Sequence, residues 1–197
     1  MTENWNEHAS RWDDNPDVKL YAEKAFASLN AQIGLRGKDW KSRRVLDFGC
    51  GTGLLAQKVA PYVGELVAVD TSEKMIAVLK DKSIPNVVAI HGDILAADSQ
   101  TGADLGAGFD LIYASSVCGF LPDYESAVLV LAGLLRPVGH FIQWDWLASD
   151  GNESGLSERR VRNAMEAAKF KSIRVGHAFS FETDEHTMPV LIGAGGI

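Results

Sequence analysis

Three glycines within five residues directly follow a short apolar run. Residues 45–53 read Val-Leu-Asp-Phe-Gly-Cys-Gly-Thr-Gly, with the glycines at Gly49, Gly51 and Gly53. Glycine lets the backbone turn sharply and lets a ligand approach bare peptide groups. A buried strand, a glycine turn and the start of a helix together favour binding of an anion or a nucleotide. The pattern predicts such a site, although a strand-to-helix turn without a ligand would use the same residue types.

The glycine spacing disfavours a nicotinamide dinucleotide site. That fingerprint is G-x-G-x-x-G, whereas here the third glycine comes one residue early and Leu54 occupies the expected position. An acidic residue, Asp47, also lies two positions before the first glycine. A nucleotide-dependent oxidoreductase is therefore the less favoured alternative.

These nine residues resemble motif I of the class I S-adenosylmethionine-dependent methyltransferases, and the chain is similar to their type 11/12 small-molecule group. The resemblance covers residues 40–146 well and the remainder only by architecture. It implies methyl transfer from S-adenosylmethionine to a small molecule by in-line displacement, with S-adenosylhomocysteine as product. It also implies that the glycine loop, including Cys50, holds the cofactor and that Asp47 orients its amino group. Asp47 could instead cap the glycine turn.

Asp70 ends the second apolar run, 21 residues after Gly49. Its carboxylate could accept hydrogen bonds from ribose hydroxyls, and this spacing matches the acidic residue of ribose-binding proteins. Capping of the next helix is the alternative. The run from Asp70 to Met75 also resembles the family's D-x-S-x-x-M, which implies that Thr71 and Met75 lie at the cofactor, Met75 against adenine. Met75 could equally be a core residue.

Gly92-Asp93-Ile94 follows the third predicted strand. In the family this position contacts adenine, which implies that Asp93 accepts from the exocyclic amine and that the N–H of Ile94 meets a ring nitrogen. The alternative is that Asp93 only caps a turn.

The fourth predicted strand leads into a loop that resembles motif IV and begins at Ser115, which the resemblance assigns to the cofactor. Many relatives carry a His-His or Asn-type pair in this loop, but this chain has Val117, Cys118 and Gly119. The departure removes an obvious polar catalyst. It keeps open a second function, a non-catalytic regulatory module that binds S-adenosylmethionine.

Aromatic residues stand where a methyl acceptor would be expected, and they predict an apolar or aromatic pocket. Large aromatic residues also pack in cores, so part of the set could be structural. Asp145, at the end of the fifth predicted strand, is the candidate general base, and a strand-end or capping role is its alternative. The predicted lid and acceptor residues are Trp12, Tyr21, Phe120, Tyr124, Trp144 and Trp146.

Residues 1–25 are predicted to form a mobile lid over the cofactor. Residues 4–16 are too polar to be core, yet they contain two tryptophans. A glycine loop and sheet hold a ligand from one side only, so the opposite side needs shielding from water. Trp12 or Tyr21 is expected to face the methyl group.

Composition limits the partners. The net charge of -7 disfavours a nucleic acid partner. The five histidines are scattered, so no metal site is predicted, although His177 keeps a possible role near the acceptor. Two cysteines form no disulfide framework and suit a reducing compartment. The apolar stretch around residues 128–135 is too short to cross a bilayer, so a cytoplasmic protein without membrane contact is expected.

Alternating strand and helix patterns predict an α/β fold, a doubly wound sheet with helices on both faces. The resemblance implies a mostly parallel seven-stranded sheet whose last strand is antiparallel, a Rossmann-like methyltransferase fold. The chain is expected to be a single domain, 1–197, with a lid and helix (1–39), a cofactor-binding core (40–146) and a closing helix and strand pair (147–197). Predicted strands are 44–48, 65–70, 87–91, 109–114, 140–146, 172–182 and 188–194; predicted helices are 18–33 (capped by Asp17), 54–62, 72–81, 123–136 and 157–170.

Overall fold

The computed structural model describes residues 4–96, 105–148, 155–182 and 187–197. The predicted acidic turn at 183–186, which contains His186, and most of the loop predicted at 149–155 lie outside these residues. The described chain divides into two compact units, residues 1–106 and 107–197.

Seven strands form one mixed sheet in the order β3-β2-β1-β4-β5-β7-β6. This order confirms the predicted doubly wound, Rossmann-like methyltransferase fold. The strands are β1 (Arg44–Phe48), β2 (Glu65–Asp70), β3 (Val87–His91), β4 (Phe109–Ser115), β5 (Leu135–Trp146), β6 (Lys171–Glu182) and β7 (Thr187–Gly196).

The α-helices described are α1 (Pro16–Ile33), α2 (Leu54–Val59), α3 (Glu73–Asp81), α4 (Tyr124–Leu134) and α5 (Glu158–Ala167). Short 3-10 helices lie at Trp5–Glu7, Ala9–Asp14, Lys38–Ser42, Ala60–Tyr62 and Cys118–Phe120. No helix in the described part of the chain has both the length and the apolar character needed to cross a membrane.

The first unit is built on three parallel strands. Leu46 pairs with Val67, and Val67 pairs in turn with Val88, so that β2 lies between the other two. Continuous apolar runs of this kind suit strands that are covered on both faces. All three strands have the predicted bounds, and their carboxyl ends lead into the glycine loop, Asp70 and Asp93.

Helix α1 begins two residues earlier than predicted, at Pro16, and Asp17 does not cap it. Asn15 is the cap, and its side chain accepts a hydrogen bond from the N–H of Asp17 at 2.9 Å. Pro16 is then the first helical residue, a position where the missing N–H of proline costs no hydrogen bond. Gly34, in the left-handed region with φ 60°, ends the helix.

The second unit contains the antiparallel strand that the resemblance implied. Strand β4 pairs with β5 in parallel, and β7 runs antiparallel to both β5 and β6. The helix predicted over 123–136 ends at Leu134, and β5 begins at Leu135 rather than at residue 140. Pro137 explains this correction, since proline disfavours helical geometry in the residue before it.

Candidate functional site

The glycine loop between β1 and α2 takes the strained turn that its sequence predicted. Gly49, Gly51 and Gly53 have φ values of 70°, 54° and 81°, which side-chain-bearing residues rarely adopt. The N–H groups of Gly49 and Cys50 both donate to the carbonyl of Val69, at 2.9 and 3.0 Å. The end of β2 therefore holds the loop in place.

The last two of these glycines serve different purposes. A β-carbon at Gly53 would come within 2.3 Å of Leu79 Cδ1, so this glycine lets α2 pack against α3. A β-carbon at Gly51 would meet only Trp12 Nε1, at 3.9 Å. The space over the Gly51 peptide is therefore a cradle that a side chain would fill.

Asp70 links the glycine loop to the start of α3. Its Oδ2 accepts the N–H of Gly51 and its Oδ1 accepts the N–H of Ser72, both at 2.8 Å. Burial raises the pKa of this carboxyl, while the two N–H groups lower it. Each oxygen retains acceptor capacity for a further donor such as a ribose hydroxyl. Helix α3 is capped by Ser72, whose Oγ accepts the N–H of Met75, so Asp70 is not its cap.

The remaining residues predicted for the cofactor differ in exposure. Asp47 in β1 and Met75 in α3 are each 2 % exposed, and Ile94 is also buried. Asp93 is exposed, and its Oδ1 accepts the N–H of Leu95 at 2.8 Å, which is the turn-capping bond of the alternative interpretation. Thr71 is exposed at the carboxyl end of β2.

The N-terminal residues 4–14, here called the strap, are hydrogen-bonded to both cofactor motifs. Asn6 Oδ1 accepts from Ser72 Oγ at 2.8 Å and from the N–H of Lys74 at 3.1 Å. Asp13 accepts from Thr52 Oγ at 2.6 Å and pairs with Lys82 Nζ at 2.7 Å. The hydroxyls of the glycine loop and of the α3 cap are therefore both donated to the strap.

Of the two predicted lid aromatics, Trp12 lies beside the glycine loop, with its Nε1 3.9 Å from the place of a β-carbon at Gly51. Its ring packs edge-to-face with that of Trp5, at 5.9 Å between centroids. Tyr21 is buried in α1, with 8 % of its surface exposed. The strap contacts of Asn6 and Asp13 were missed by sequence reasoning. The only available signal was a hydroxyl residue in each motif, and it gives no hint of the partner.

In the second unit, the loop after β4 is held by two consecutive residues of β5. The N–H of Ser116 donates to the carbonyl of Trp144 at 2.7 Å, and the N–H of Gly119 donates to Asp145 Oδ1 at 2.8 Å. Ser116 has a left-handed φ of 57°, which is uncommon for a residue with a side chain. Ser115 lies at the end of β4, directly before this loop.

Asp145 is buried in a polar network and is 1 % exposed. Its Oδ2 accepts from Gln143 Nε2 at 3.1 Å, and Gln143 Oε1 accepts from the hydroxyl of Tyr124 at 2.8 Å. Burial raises the pKa of Asp145 to about 7, although the N–H of Gly119 and the amide of Gln143 lower it. Burial also raises the pKa of Tyr124 well above its ordinary value.

The predicted acceptor aromatics fall into two groups. Trp144 and Tyr124 are fully buried and pack in the core of the second unit. Phe120 is 51 % exposed. Trp146 packs edge-to-face on Phe181, which in turn contacts Phe179. The sequence analysis did not name Phe179 and Phe181 as neighbours of Trp146. Their alternation in β6 was the signal that could have found them.

Two further predictions concerned metal binding and His177. Among the described residues, no three His, Cys, Asp or Glu side chains are placed to hold a metal ion. His177 is exposed on β6, and its Nε2 lies 2.8 Å from Ser180 Oγ.

A family model described as a methyltransferase domain matches residues 46–141, which span β1 through the first half of β5. This match includes the glycine loop, Asp70 and the loop after β4. Residues 46–141 therefore form a methyltransferase domain, and the seven-stranded sheet has the fold of class I S-adenosylmethionine-dependent methyltransferases.

Curated relatives of this chain include two ubiquinone biosynthesis O-methyltransferases. The one from Cupriavidus pinatubonensis is 30% identical over 129 residues, 66% of this chain and 51% of the relative. The one from Ralstonia nicotianae is 30% identical over 142 residues, 70% of this chain and 57% of the relative. The chain thus spans just over half the length of these relatives.

Solved structures share the fold over nearly the whole chain. A SAM-dependent methyltransferase from Aquifex aeolicus has a TM-score of 0.68 at 20% identity, covering 98% of each chain. The N-methyltransferase NodS from Bradyrhizobium japonicum, in complex with S-adenosylhomocysteine, has a TM-score of 0.67 at 18% identity, also covering 98% of each chain.

The residues of the first unit fit an S-adenosylmethionine cofactor. The open cradle at Gly51 accommodates a ligand against bare backbone, and Asp70 places a carboxylate beside it. Backbone N–H groups and a carboxylate with spare acceptor capacity are the groups that a nucleoside with an amino-acid tail requires.

Proposed function

We propose that this chain transfers the methyl group of S-adenosylmethionine to a small-molecule acceptor. The observation that carries the proposal is the bond between Asp70 and the N–H of Gly51, which fixes a glycine cradle next to a ribose-binding carboxylate. When bound, the cofactor supplies a methyl group on a positively charged sulfur. The protein's contribution is then to orient the acceptor in line and to exclude water.

The cofactor contacts are assigned to the first unit and to the end of β4. Asp70 accepts from ribose hydroxyls, Asp93 and the N–H of Ile94 contact adenine, and Met75 lies behind it. Asp47 orients the amino group, and the backbone of the glycine loop surrounds the amino-acid end. The assigned residues are Asp47, Gly49, Cys50, Gly51, Gly53, Asp70, Thr71, Met75, Asp93, Ile94 and Ser115.

An oxygen nucleophile on the acceptor is the first candidate, because the curated relatives are named as O-methyltransferases. The exposed ring of Phe120 and the partly buried ring of Trp146 favour an acceptor with an apolar or aromatic surface. We infer that residues 1–197 act as one catalytic domain. The free cysteines Cys50 and Cys118 favour the reducing cytoplasm as its location.

Calorimetry with S-adenosylhomocysteine tests cofactor binding directly. We expect micromolar affinity in the unaltered protein. Gly51→Val should abolish binding, because a branched side chain fills the cradle and strains a left-handed residue. Gly176→Ala is the matched control, since a β-carbon there meets open space and should leave the affinity unchanged. Equal affinity in all three proteins would contradict the proposed cofactor site.

A non-catalytic S-adenosylmethionine-binding module is the second candidate. It is favoured by the apolar loop after β4, where Val117, Cys118 and Gly119 offer no polar side chain for catalysis and Cys118 is buried. Thermal-shift screening of a metabolite library with S-adenosylhomocysteine present would identify acceptors, because a ligand of the folded state raises the melting temperature. Release of S-adenosylhomocysteine from S-adenosylmethionine with any such compound would exclude this candidate.

A further inference from the structure

The loop after β4, here called the β4 loop (residues 116–120), is fastened at two points by β5. The carbonyl of Trp144 accepts the N–H of Ser116 at 2.7 Å, and the carboxylate of Asp145 accepts the N–H of Gly119 at 2.8 Å. Trp144 and Asp145 are neighbours in sequence, so one rigid strand end sets both points. The loop's course is therefore defined by β5 as well as by its own residues.

The β4 loop needs this support because its backbone is strained. Ser116 has a φ of 57°, in the left-handed region that favours glycine. Such a conformation persists only where the surrounding structure over-determines it, and it is common near functional sites. The bonds to β5 from Ser116 itself and from Gly119 supply that determination.

A buried hydrogen-bond chain holds the Asp145 carboxylate in turn. Gln143 Nε2 donates to Oδ2, and the Tyr124 hydroxyl donates to Gln143 Oε1. Gln143 is 0% exposed and Asp145 is 1% exposed. Both carboxylate oxygens are engaged inside the protein, so neither is directed to an acceptor in solvent.

Burial raises the pKa of Asp145, and hydrogen bonds from Gly119, Gln143, Val117 and Cys118 lower it. The titratable groups that face it are the Cys118 thiol in the β4 loop and the Tyr124 hydroxyl in α4, and burial raises the pKa of each. In the same row of the sheet, Asp145 pairs with Leu191 of β7, which pairs with His177 of β6. The carboxylate is thus stabilised by N–H donors, and chiefly by those of the β4 loop.

We propose that Asp145 is a positioning residue, whose carboxylate holds the β4 loop in its strained conformation and so sets the position of Phe120 against the methyl acceptor. Phe120 is the large exposed side chain of this loop, and its placement decides which acceptors fit. The assignment rests on the proposed function. In it, Asp145 does not act as the general base of the reaction.

Chemical labelling of Cys118 reports directly on the loop. Cys118 is 1 % exposed, and burial raises its pKa, so a thiol reagent such as dithiobisnitrobenzoate should react slowly while the loop is fastened. Cys50→Ser provides the background with a single thiol. In that background, Asp145→Leu should label about tenfold faster or more, because the loop opens locally. Asp145→Asn should label near the parent rate, since its carboxamide oxygen still accepts from Gly119.

Asp123→Ala is the matched control. Asp123 is another carboxylate beside the loop, and it accepts the N–H of Ser126 to cap α4. Its loss removes a cap but none of the loop's bonds to β5, so labelling should stay at the parent rate. If Asp145→Leu does not fold, Gln143→Met breaks the chain one step earlier and should accelerate labelling by a smaller factor. Parent-rate labelling in a folded Asp145→Leu or Gln143→Met protein, or equal acceleration in Asp123→Ala, would overturn the assignment.

The labelling uses neither cofactor nor acceptor, so its outcome is independent of the proposed function. Failure of the protein to bind S-adenosylhomocysteine would remove the proposed function and leave the loop result in place. With an acceptor in hand, Asp145→Leu should raise KM for the acceptor with little change in kcat, because the loop that carries Phe120 is no longer fastened. A general base would instead lose about 10²–10⁴-fold in kcat in that variant, and this loss would overturn the positioning role.

Discussion

Single carboxylates do different work in the two units because their surroundings differ. Asp70 is partly buried and bonds two backbone N–H groups while keeping acceptor capacity. Asp145 is fully buried and bonds a backbone N–H and the Gln143 amide, with no access to solvent. Asp93 is exposed, and its Oδ1 accepts the N–H of Leu95 while the second oxygen stays available for the proposed adenine contact. Their residue type is the same, and burial separates the proposed ligand-binding carboxylates from the proposed positioning one.

Asp70→Ala should weaken S-adenosylhomocysteine binding at the residue scale. The substitution removes the proposed acceptor for the ribose hydroxyls. It also leaves the N–H of Gly51 without the Asp70 carboxylate that accepts its hydrogen bond. Unpaired buried groups cost about 1–3 kcal/mol each, so the affinity should fall on the order of tenfold to a hundredfold. Calorimetry checks this, and an unchanged dissociation constant would remove Asp70 from the site.

Asp145 should make the stability of the protein depend on pH. Burial raises its pKa from 3.8 to about 7 in the folded state. The folded protein then holds the proton more tightly than the unfolded chain, so the free energy of unfolding falls as pH rises between these values and levels off above pH 7. Urea unfolding at several pH values should show this fall in the free energy of unfolding. The contribution of Asp145 to the fall should be absent from Asp145→Asn. The same pH dependence in both proteins would contradict the assigned environment.

At the scale of elements, the strap and the glycine loop form one hydrogen-bonded assembly. Thr52 and Ser72, one from each cofactor motif, donate their hydroxyls to Asp13 and Asn6. We infer that the strap is the lid predicted for the N-terminal residues, with Trp12 over Gly51. Cofactor exchange then requires these bonds to open, which could limit turnover.

Asp13→Ala should weaken S-adenosylhomocysteine binding, because the strap loses its bonds to Thr52 and Lys82. The partly buried ion pair contributes little by itself, so a decrease in affinity of about threefold to tenfold is expected, chiefly from the buried hydroxyl of Thr52. Asp14→Ala, at the neighbouring carboxylate, is the control and should bind as the unaltered protein does. Indistinguishable affinities for the two variants would argue against the lid.

Removal of the strap is a stronger test if it stops at residue 14. Asn15 and Pro16 start α1, so a longer deletion would also remove the cap of that helix. The shortened protein should keep its circular dichroism spectrum and lose methyl transfer to any identified acceptor. Full activity with unaltered cofactor affinity would rule out a role for the strap.

At the scale of the whole molecule, the strand order and the family match explain how the chain can act with few catalytic side chains. Strand ends present Asp70, Asp93, Ser115 and Asp145, and the loops that follow them carry the proposed contacts. The positively charged sulfonium makes methyl transfer depend mainly on orientation. The fold therefore contributes more to the proposed reaction than any single group.

No metal requirement is expected for this reaction. Within the described residues, no cluster of ligands has the composition that a metal ion needs. S-adenosylhomocysteine binding, and methyl transfer once an acceptor is known, should be unchanged in excess chelator. Loss of activity in chelator that magnesium restores would contradict this prediction.

The sequence by itself determined the fold class, the bounds of the first three strands and the family. Buried parallel strands are continuous apolar runs, and glycines at fixed spacing are required by a turn whose φ values are positive, so both are local properties of the chain. The end of α4 was predicted two residues too late. There, the local signal of Pro137 was present and was outweighed by an apolar helical pattern.

Only the tertiary structure decided which polar and aromatic residues meet. Asn6 reaches Ser72 across 66 positions, and Gly119 reaches Asp145 across 26. The tertiary structure also places Trp144 and Tyr124 in the core and leaves Phe120 exposed. Residue type alone does not predict this difference, since all three are large aromatic residues. Such pairings depend on how distant segments pack, because hydrogen bonds and burial are set by three-dimensional proximity, which periodicity and motif spacing do not encode.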